Sequence, residues 1–575
     1  MPRATSIGLE ETATWIRQQE LSRPAWIDTP FGRRLVCYAD LTATGRHLAA
    51  VEDWVRLARP FYANTHTEIS TTGRIMTELR EAARRIVRDA VHAADDDEIV
   101  FCGSGATAAV NKLVGLLGLR IPEPLEREYA LSRAIPADRR PVVFVGPYEH
   151  HSNQLPWLES IADVEEIDLD GNGAIDLEDL TARLQRYGDR PLKIGSFSAA
   201  SNVTGIISDV AAIARTLHRA DALAFFDYAA AAPYVPIDMH PPNADERIDA
   251  LFLSPHKFVG GPEASGVLVA NRALFRSRTP ERPGGGTVAY VASPSREGVD
   301  YVHRLAEREE GGTPAILGDV RAGLAFLIKE MAGPAAIQDH EIAIARQAAA
   351  RLSDHPRIRV LGPQRARRLA IISITVEGLH HDLVSALLDH LFGIQNRAGC
   401  SCAGPYGHRL LGIDADRSAA LRRLLGEGLN GIKPGWARIS LPWYASGEDI
   451  DFVLSAVEFV ADHGMEFVPL YRFGWRDGVW RHADRPDAGR APLELSVDAL
   501  MQASGAAPPD PIAAARRREE HARYLADATE TAAALRRRWQ ESPPEWNPST
   551  GDSELDGLVW FRFVHADPQS PRRSG

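Results

Sequence analysis

Between about residues 98 and 266, short β-rich runs alternate with amphipathic helical segments. That alternation restricts the chain to an α/β fold built on a largely parallel sheet. Runs at 98–102, 142–145, 192–198 and 223–227 supply strands, and segments at 106–117 and 210–220 supply helices between them. Residues 222–226 are continuously apolar, as expected of a strand covered on both faces. A second, α+β unit follows over 318–463, with a long helix at 319–331, strands near 369–376 and 437–441, and a closing helix near 447–462. We divide the chain into an N-terminal segment (1–35), a large α/β domain (36–317), a smaller α+β domain (318–464) and a C-terminal extension (465–575). The extension holds an aromatic hairpin turning at Asp477-Gly478, a Pro/Ala-rich linker at 506–511, a charged helix to about Gln540 and a tail with an aromatic strand at 558–564. Its helix is dense in Ala and Arg and reads as a solvated decoration.

At 575 residues and 45% hydrophobic content, the chain can bury a large core in several domains. A net charge of −12 argues against nucleic acid or an anionic membrane as partner. The N-terminus lacks the apolar core of a signal peptide, and no apolar stretch reaches the ~18 residues of a membrane span. Four cysteines form no disulfide framework and favour a reducing compartment. The expectation is a soluble cytoplasmic protein.

The chemistry concentrates at strand ends. Ser254-Pro255-His256-Lys257-Phe258-Val259-Gly260-Gly261 sets a lysine between an apolar run at 248–253 and a glycine pair. A lysine at the buried end of a strand is costly unless its ammonium is bonded or its charge is lost, as in a Schiff base to an aldehyde cofactor. The plain alternative is a surface lysine in a turn. Cys102-Gly103-Ser104-Gly105-Ala106-Thr107 lies between a strand and a helix. There, backbone N–H groups and small hydroxyls can cradle a phosphate, although such turns are often purely structural. Asp227 ends the run at 223–227, where α/β sheets bind ligands. It suits a partner for a pyridine nitrogen, or equally a helix N-cap. Tyr148-Glu149-His150-His151-Ser152-Asn153 follows the run at 142–145 and offers a flat imidazole for stacking and proton transfer. Adjacent histidines point apart and lack further ligands at suitable spacing, so no metal is assigned. Phosphate loop, histidine, aspartate and lysine in this order point to a phosphate-bearing aldehyde cofactor.

Together with Ser201-Asn202-Val203-Thr204-Gly205, Glu310-Gly311-Gly312-Thr313-Pro314 and Arg397-Ala398-Gly399-Cys400-Ser401-Cys402-Ala403, these residues resemble class V aminotransferase-fold enzymes. Within that class the likeness is to the cysteine desulfurase/selenocysteine lyase group, and it runs from about Tyr38 to His463. It implies a pyridoxal 5′-phosphate (PLP) enzyme of transferase fold type I, with a mostly parallel seven-stranded sheet domain, a smaller α+β domain and, here, a C-terminal extension. It also implies a homodimer with active sites at the subunit interface. Lys257 would bind the cofactor covalently and shuttle protons, and His150 would stack on the ring. Asp227 would pair with the ring nitrogen, and Asn202 would lie beside the phenolic oxygen and the substrate. Gly105, Ala106, Thr107, Ser254 and His256 would hold the phosphate, and Thr287 would reach the partner's. Arg438 would clamp the substrate carboxylate, and Cys402 would take up sulfur as a persulfide. The implied reaction is a C–S (or C–Se) lyase acting on L-cysteine or a related thiol amino acid, passing sulfur to an acceptor protein. The alternative is an aminotransferase, epimerase or β-eliminating lyase of the same fold.

Cys400-Ser401-Cys402 sits among Gly399, Gly404, Pro405 and Gly407, surroundings suited to a thiol that must approach and leave a substrate. Arg397 and His408 are placed to favour its thiolate. Packed, inert thiols are the structural alternative, and a zinc site lacks a fourth ligand. The group usually carries a glutamine three residues after the ring-binding aspartate, and here that position is Ala230. The run from Asp168 to Asp179 imitates an EF-hand loop. It lacks the entering helix and the terminal glutamate, so we read a turn with Asp176 capping a helix over 177–187.

Overall fold

The computed structural model describes residues 7–65, 67, 69–485, 496 and 512–567. The linker expected at 506–511 lies outside these residues. The chain forms two compact units. The first comprises the described parts of Met1–Gln19, Leu41–Ala343 and Arg365–Leu369; the second comprises those of Glu20–Asp40, Ile344–Gln364 and Ala370–Gly575.

The first unit is built on a seven-stranded sheet. Its strands are β1 (Asp97–Cys102), β2 (Val142–Val145), β3 (Asp163–Glu166), β4 (Lys193–Ser198), β5 (Leu223–Asp227), β6 (Ala250–Leu253) and β7 (Gly266–Asn271). Their spatial order is β1-β7-β6-β5-β4-β2-β3. Only β7 runs antiparallel to its neighbours, so the other six all end at the same edge. Strands β2, β4 and β6 are buried throughout, which explains why, apart from Lys193 at the start of β4, they hold only apolar or small residues. The helices α1 (Gly105–Leu116) and α2 (His151–Leu158) leave from that edge after β1 and β2.

The division expected at residue 318 differs from the observed one. The helix α3 (Ile316–Ala332) belongs to the first unit. Its Asp319 is ion-paired with Arg80, its Arg321 holds Glu52 through bonds of 2.6 and 2.7 Å, and a side chain at Gly323 would press on Ala83 at 2.8 Å. The Arg80 and Ala83 contacts bind it to the helix Thr71–Ala90, whose existence the sequence pattern did not reveal, and the Glu52 contact binds it to the helix Ala49–Ala58.

The second unit carries a four-stranded antiparallel sheet in the order β8-β9-β11-β10, from β8 (Ile358–Val360), β9 (Ile371–Val376), β10 (Arg397–Gly399) and β11 (Trp436–Ser440). Helix α4 (His381–Phe392) packs on it, and α5 (Gly447–Phe467) packs against α4. The hairpin at Asp477-Gly478 is present as β12 (Tyr471–Phe473) and β13 (Trp480–His482), with Gly478 at φ +75°. The aromatic stretch at 558–564 is not a strand. It joins a short helix, Ser553–Leu558, to β14 (His565–Ala566), which pairs with β12.

The charged helix, α6 (Ala514–Glu541), is not a solvated decoration. Tyr524 is fully buried, accepts a hydrogen bond from the Leu35 N–H at 3.1 Å and lies under the Arg34 guanidinium. His521 stacks on Phe452 at 3.7 Å, and Ala528, Ala532 and Leu535 complete a buried stripe. The alanines that made the segment look featureless are what let it lie close against α5. Among the described residues, no helix is long and apolar enough to cross a membrane.

Candidate active site

The common edge of the parallel strands collects the residues singled out in the first unit, except Thr287, which precedes a separate two-stranded sheet. After β1, the Gly103 carbonyl accepts from the N–H groups of Gly105 (3.1 Å) and Gly266 (2.9 Å). Gly105 adopts φ +57°, and a Cβ on Gly266 would fall 2.3 Å from the Gly105 carbonyl oxygen, so both positions exclude side chains. The Ala106 N–H donates to Ser254 Oγ at 2.9 Å, which joins the start of α1 to the end of β6. Thr107 and Ser152 share a hydroxyl–hydroxyl bond of 2.6 Å.

A cavity of about 670 Å³ opens here, with Thr44, Gly103, Ser104, Gly105 and His256 on its wall. Burial, assisted by the Lys257 charge, pushes His256 down to about 4. Its imidazole is therefore neutral, with Nδ1 3.2 Å from Thr44 Oγ1.

His150 caps α2: Nδ1 accepts from the Ser152 N–H at 3.1 Å, which leaves the proton of the neutral ring on Nε2. Asp227 ends β5 and is buried. Burial raises its pKa, while the Ala229 N–H (2.8 Å) and the positive charge of Lys257 pull it back. Asp227 and Lys257 thus feel one another within a dry region at the sheet edge. Asn202 is buried in a turn closed by Ser201 Oγ, which accepts from Val203 and Thr204 N–H groups. Ala230, also buried, offers a methyl where a glutamine was expected. Thr287 is fully buried, and its hydroxyl donates to the Gly284 carbonyl at 2.7 Å.

In the second unit, Arg438 lies on β11 and is buried, its Nη2 donating to Asp40 Oδ1 at 2.9 Å. Arg397 also reaches Asp40, Nε to Oδ2 at 3.0 Å. Its charge is therefore answered by that carboxylate. Cys402 is exposed and Cys400 half-buried. Ser401 and Cys402 both adopt left-handed backbone, at φ +49° and +55°. Two successive non-glycine residues in that region are strained, and such strain collects at functional turns.

The calcium-like run is internally satisfied. Asp170 Oδ1 accepts from Asn172 and Ala174 N–H groups, and Asp176 caps the helix Leu177–Arg186. Sequence reasoning missed Thr44, Asp40 and the buried acid Glu149, because His256, the two arginines and Ser198, which respectively meet them, lie far along the chain.

A family model for class V aminotransferases matches residues 37–453. The chain belongs to the class V aminotransferase family. A probable cysteine desulfurase of Halalkalibacterium halodurans is 31% identical over 373 residues, 64% of this chain and 84% of that protein. A probable cysteine desulfurase of Streptomyces coelicolor is 29% identical over 380 residues, with 65% and 84% covered. Two solved structures share the fold. The apo cysteine desulfurase of Thermococcus onnurineus aligns with a TM-score of 0.59 at 24% identity, over 74% of this chain and 95% of that one. An Escherichia coli cysteine desulfurase in its S-sulfonic acid form gives 0.58 at 24%, covering 74% and 94%. This class V chain is thus an enzyme of a PLP-dependent family, on the type I fold, with an added C-terminal region.

Proposed function

We propose that this enzyme is a PLP-dependent C–S (or C–Se) lyase that removes sulfur from L-cysteine or a related thiol amino acid. The observation that carries the reading is the exposed Cys402 thiol on a strained left-handed turn, in a chain whose relatives are probable cysteine desulfurases.

The residues fit the cofactor. Glycine backbone at the positive end of α1, with the Ser254 hydroxyl beside it, makes an anion cradle that any Cβ on Gly105 would invade, at 2.8 Å from Ser254 Oγ. Gly105, Ala106, Thr107, Ser254 and His256 would hold the phosphate. Asp227 would face the ring nitrogen, His150 would lie on the ring, and Asn202 beside its phenolic oxygen. When bound, PLP supplies the amine linkage and the electron sink.

The protein's part is then the following. Arg438, fixed by Asp40, binds the substrate carboxylate. The Lys257 amine takes the α-proton. The Cys402 thiolate attacks the substrate sulfur, so a sulfur–sulfur bond forms as the Cβ–S bond breaks and its electron pair stays on carbon. A proton then completes alanine, and Cys402 is left as a persulfide with no external oxidant needed. His150, with its proton on Nε2, can donate at the ring face. The enzyme would act in the cytoplasm as a homodimer and pass the persulfide sulfur to an acceptor protein. Service of Thr287 to the partner's phosphate requires its hydroxyl to leave Gly284.

Product analysis tests the reading. Wild type should convert cysteine to alanine and persulfide sulfur, and Cys402→Ala should lose this while its cofactor spectrum still responds to cysteine. Undiminished turnover in Cys402→Ala would remove the persulfide step. Ala230 favours a second reading, since loss of the usual amide donor beside the ring suits an eliminating lyase, an epimerase or an aminotransferase. Pyruvate with ammonia, an inverted α-carbon or a keto acid would identify these.

A further inference from the structure

Glu149 is a buried acid that the proposed reaction does not use. Its carboxylate accepts from the Ser198 N–H (2.9 Å), the Ser198 hydroxyl (2.6 Å), the Asn153 amide (2.6 Å) and the Gly146 N–H (3.3 Å). These donors come from the end of β4, from α2 and from the residue after β2. Asn153 also donates to the Ser196 carbonyl at 3.1 Å and accepts from the Ser196 hydroxyl at 2.6 Å, so the network closes on itself. Ser198 pairs in register with Asp227, and the Ala199 N–H donates to the Asp227 carbonyl at 2.9 Å. The residue after Glu149 is His150. One carboxylate therefore fastens the loop that bears His150 to the strand beside Asp227.

We propose that Glu149 is a positioning residue for His150 and Asp227, and that the two acids share one negative charge, Glu149 carrying a proton while Asp227 stays ionised. The assignment of Asp227 and His150 to the cofactor rests on the function proposed above; the shared charge does not. Two carboxylates in one dry region ionise in separate steps, and the one without a compensating cation holds its proton to higher pH. Asp227 has Lys257, whereas Glu149 has neutral donors. The Ser198 hydroxyl can turn from donor to acceptor, so Glu149 accommodates a proton without losing a bond. Among the described residues, the groups facing Glu149 are Asp227 from β5, the neutral Ser196 and Ser198 from β4, and Asn153 from α2. His150 adjoins it in the chain, and Lys257 acts through Asp227. Burial pushes Glu149 up to about 7, with the Asp227 charge adding to the rise.

Infrared difference spectra of the full-length protein across pH 5 to 9 test this directly. Wild type should show a buried protonated carboxyl that ionises near 7, and Glu149→Gln should lack it. Ser198→Ala, which removes a donor favouring the ionised form, should move the midpoint upward. The PLP dissociation constant should rise on the order of tenfold in Glu149→Gln, the worth of one neutral hydrogen bond. A transition near 7 that survives Glu149→Gln overturns the proposal, as does a wild type whose carboxyls all ionise in the ordinary range. If Glu149→Gln does not fold, a Ser198→Ala midpoint equal to that of wild type overturns it as well. The same sample, treated with borohydride, reports separately on the cofactor: no fixation at Lys257 would sink the function while leaving the carboxyl result intact.

Discussion

Arg397 and Arg438 stand directly opposite one another on antiparallel strands, with the Asp40 carboxylate bonded to both. Like charges paired across strands repel, so the arrangement depends on that acid. Asp40→Asn is expected to raise KM for the amino acid on the order of tenfold, with the cofactor still bound. Arg438→Lys loses the planar fork and should lower kcat/KM by roughly 10- to 100-fold. Steady-state kinetics check both. An unchanged KM in Asp40→Asn would mean that Arg438 is held another way.

In the proposed reaction Asp227 would keep a ring nitrogen charged, a task asparagine cannot perform. Asp227→Asn should retain the borohydride-fixable link at Lys257 yet lose about 10² to 10⁴ in kcat, the range of a lost proton-holding group. Lys257→Ala should lose the link itself. Mass spectrometry of the reduced proteins, beside the kinetics, distinguishes the two.

Lys329 on α3 is buried and donates to the Val235 carbonyl at 2.6 Å, beneath Phe258. Burial pulls its pKa down from 10.5 to about 8. Between these values the unfolded chain binds a proton that the folded one lacks, so stability rises as pH climbs through the window. The shift corresponds to about 3 kcal/mol at neutral pH, and Lys329→Met forfeits a hydrogen bond of about 1–3 kcal/mol. The net change at pH 7 should be small. The signature is the slope: denaturant midpoints should climb between pH 8 and 10 in wild type and stay flat in Lys329→Met.

Tyr524 ties α6 to Leu35 with its ring fully buried. Tyr524→Ala should cost about 3–5 kcal/mol, the usual range for emptying a large aromatic site. Denaturant unfolding followed by tryptophan fluorescence measures it. A loss under 1 kcal/mol would mean that the helix is dispensable.

How much of this was legible in the chain follows from what each residue needs. Lys257, Asp227 and the Gly103–Gly105 loop carry their meaning locally, because a polar residue or glycine pair at the end of an apolar run signals a strand edge. The strands at 142–145 and 223–227 coincide with those observed. Asp40 and Glu149 carry none, since Arg397 and Ser198, which bond them, lie 357 and 49 residues away in sequence and meet them only once the sheets have formed. The extension was misread for a related reason. Ala528 and Ala532 are weak signals of burial until a neighbouring helix is known to lie against them. The left-handed turn at Ser401-Cys402 has no sequence mark at all, as neither residue favours that backbone.

The span shared with other class V proteins stops at residue 453, partway along α5. A gene trimmed to that boundary for expression would sever a 21-residue helix and strip away Tyr471, Phe473, Trp480 and Tyr524, all of them buried. The raw apolar surface left behind would drive the product into inclusion bodies. What resembles an appendage is the lid of this half of the molecule, and any shortened version has to keep it.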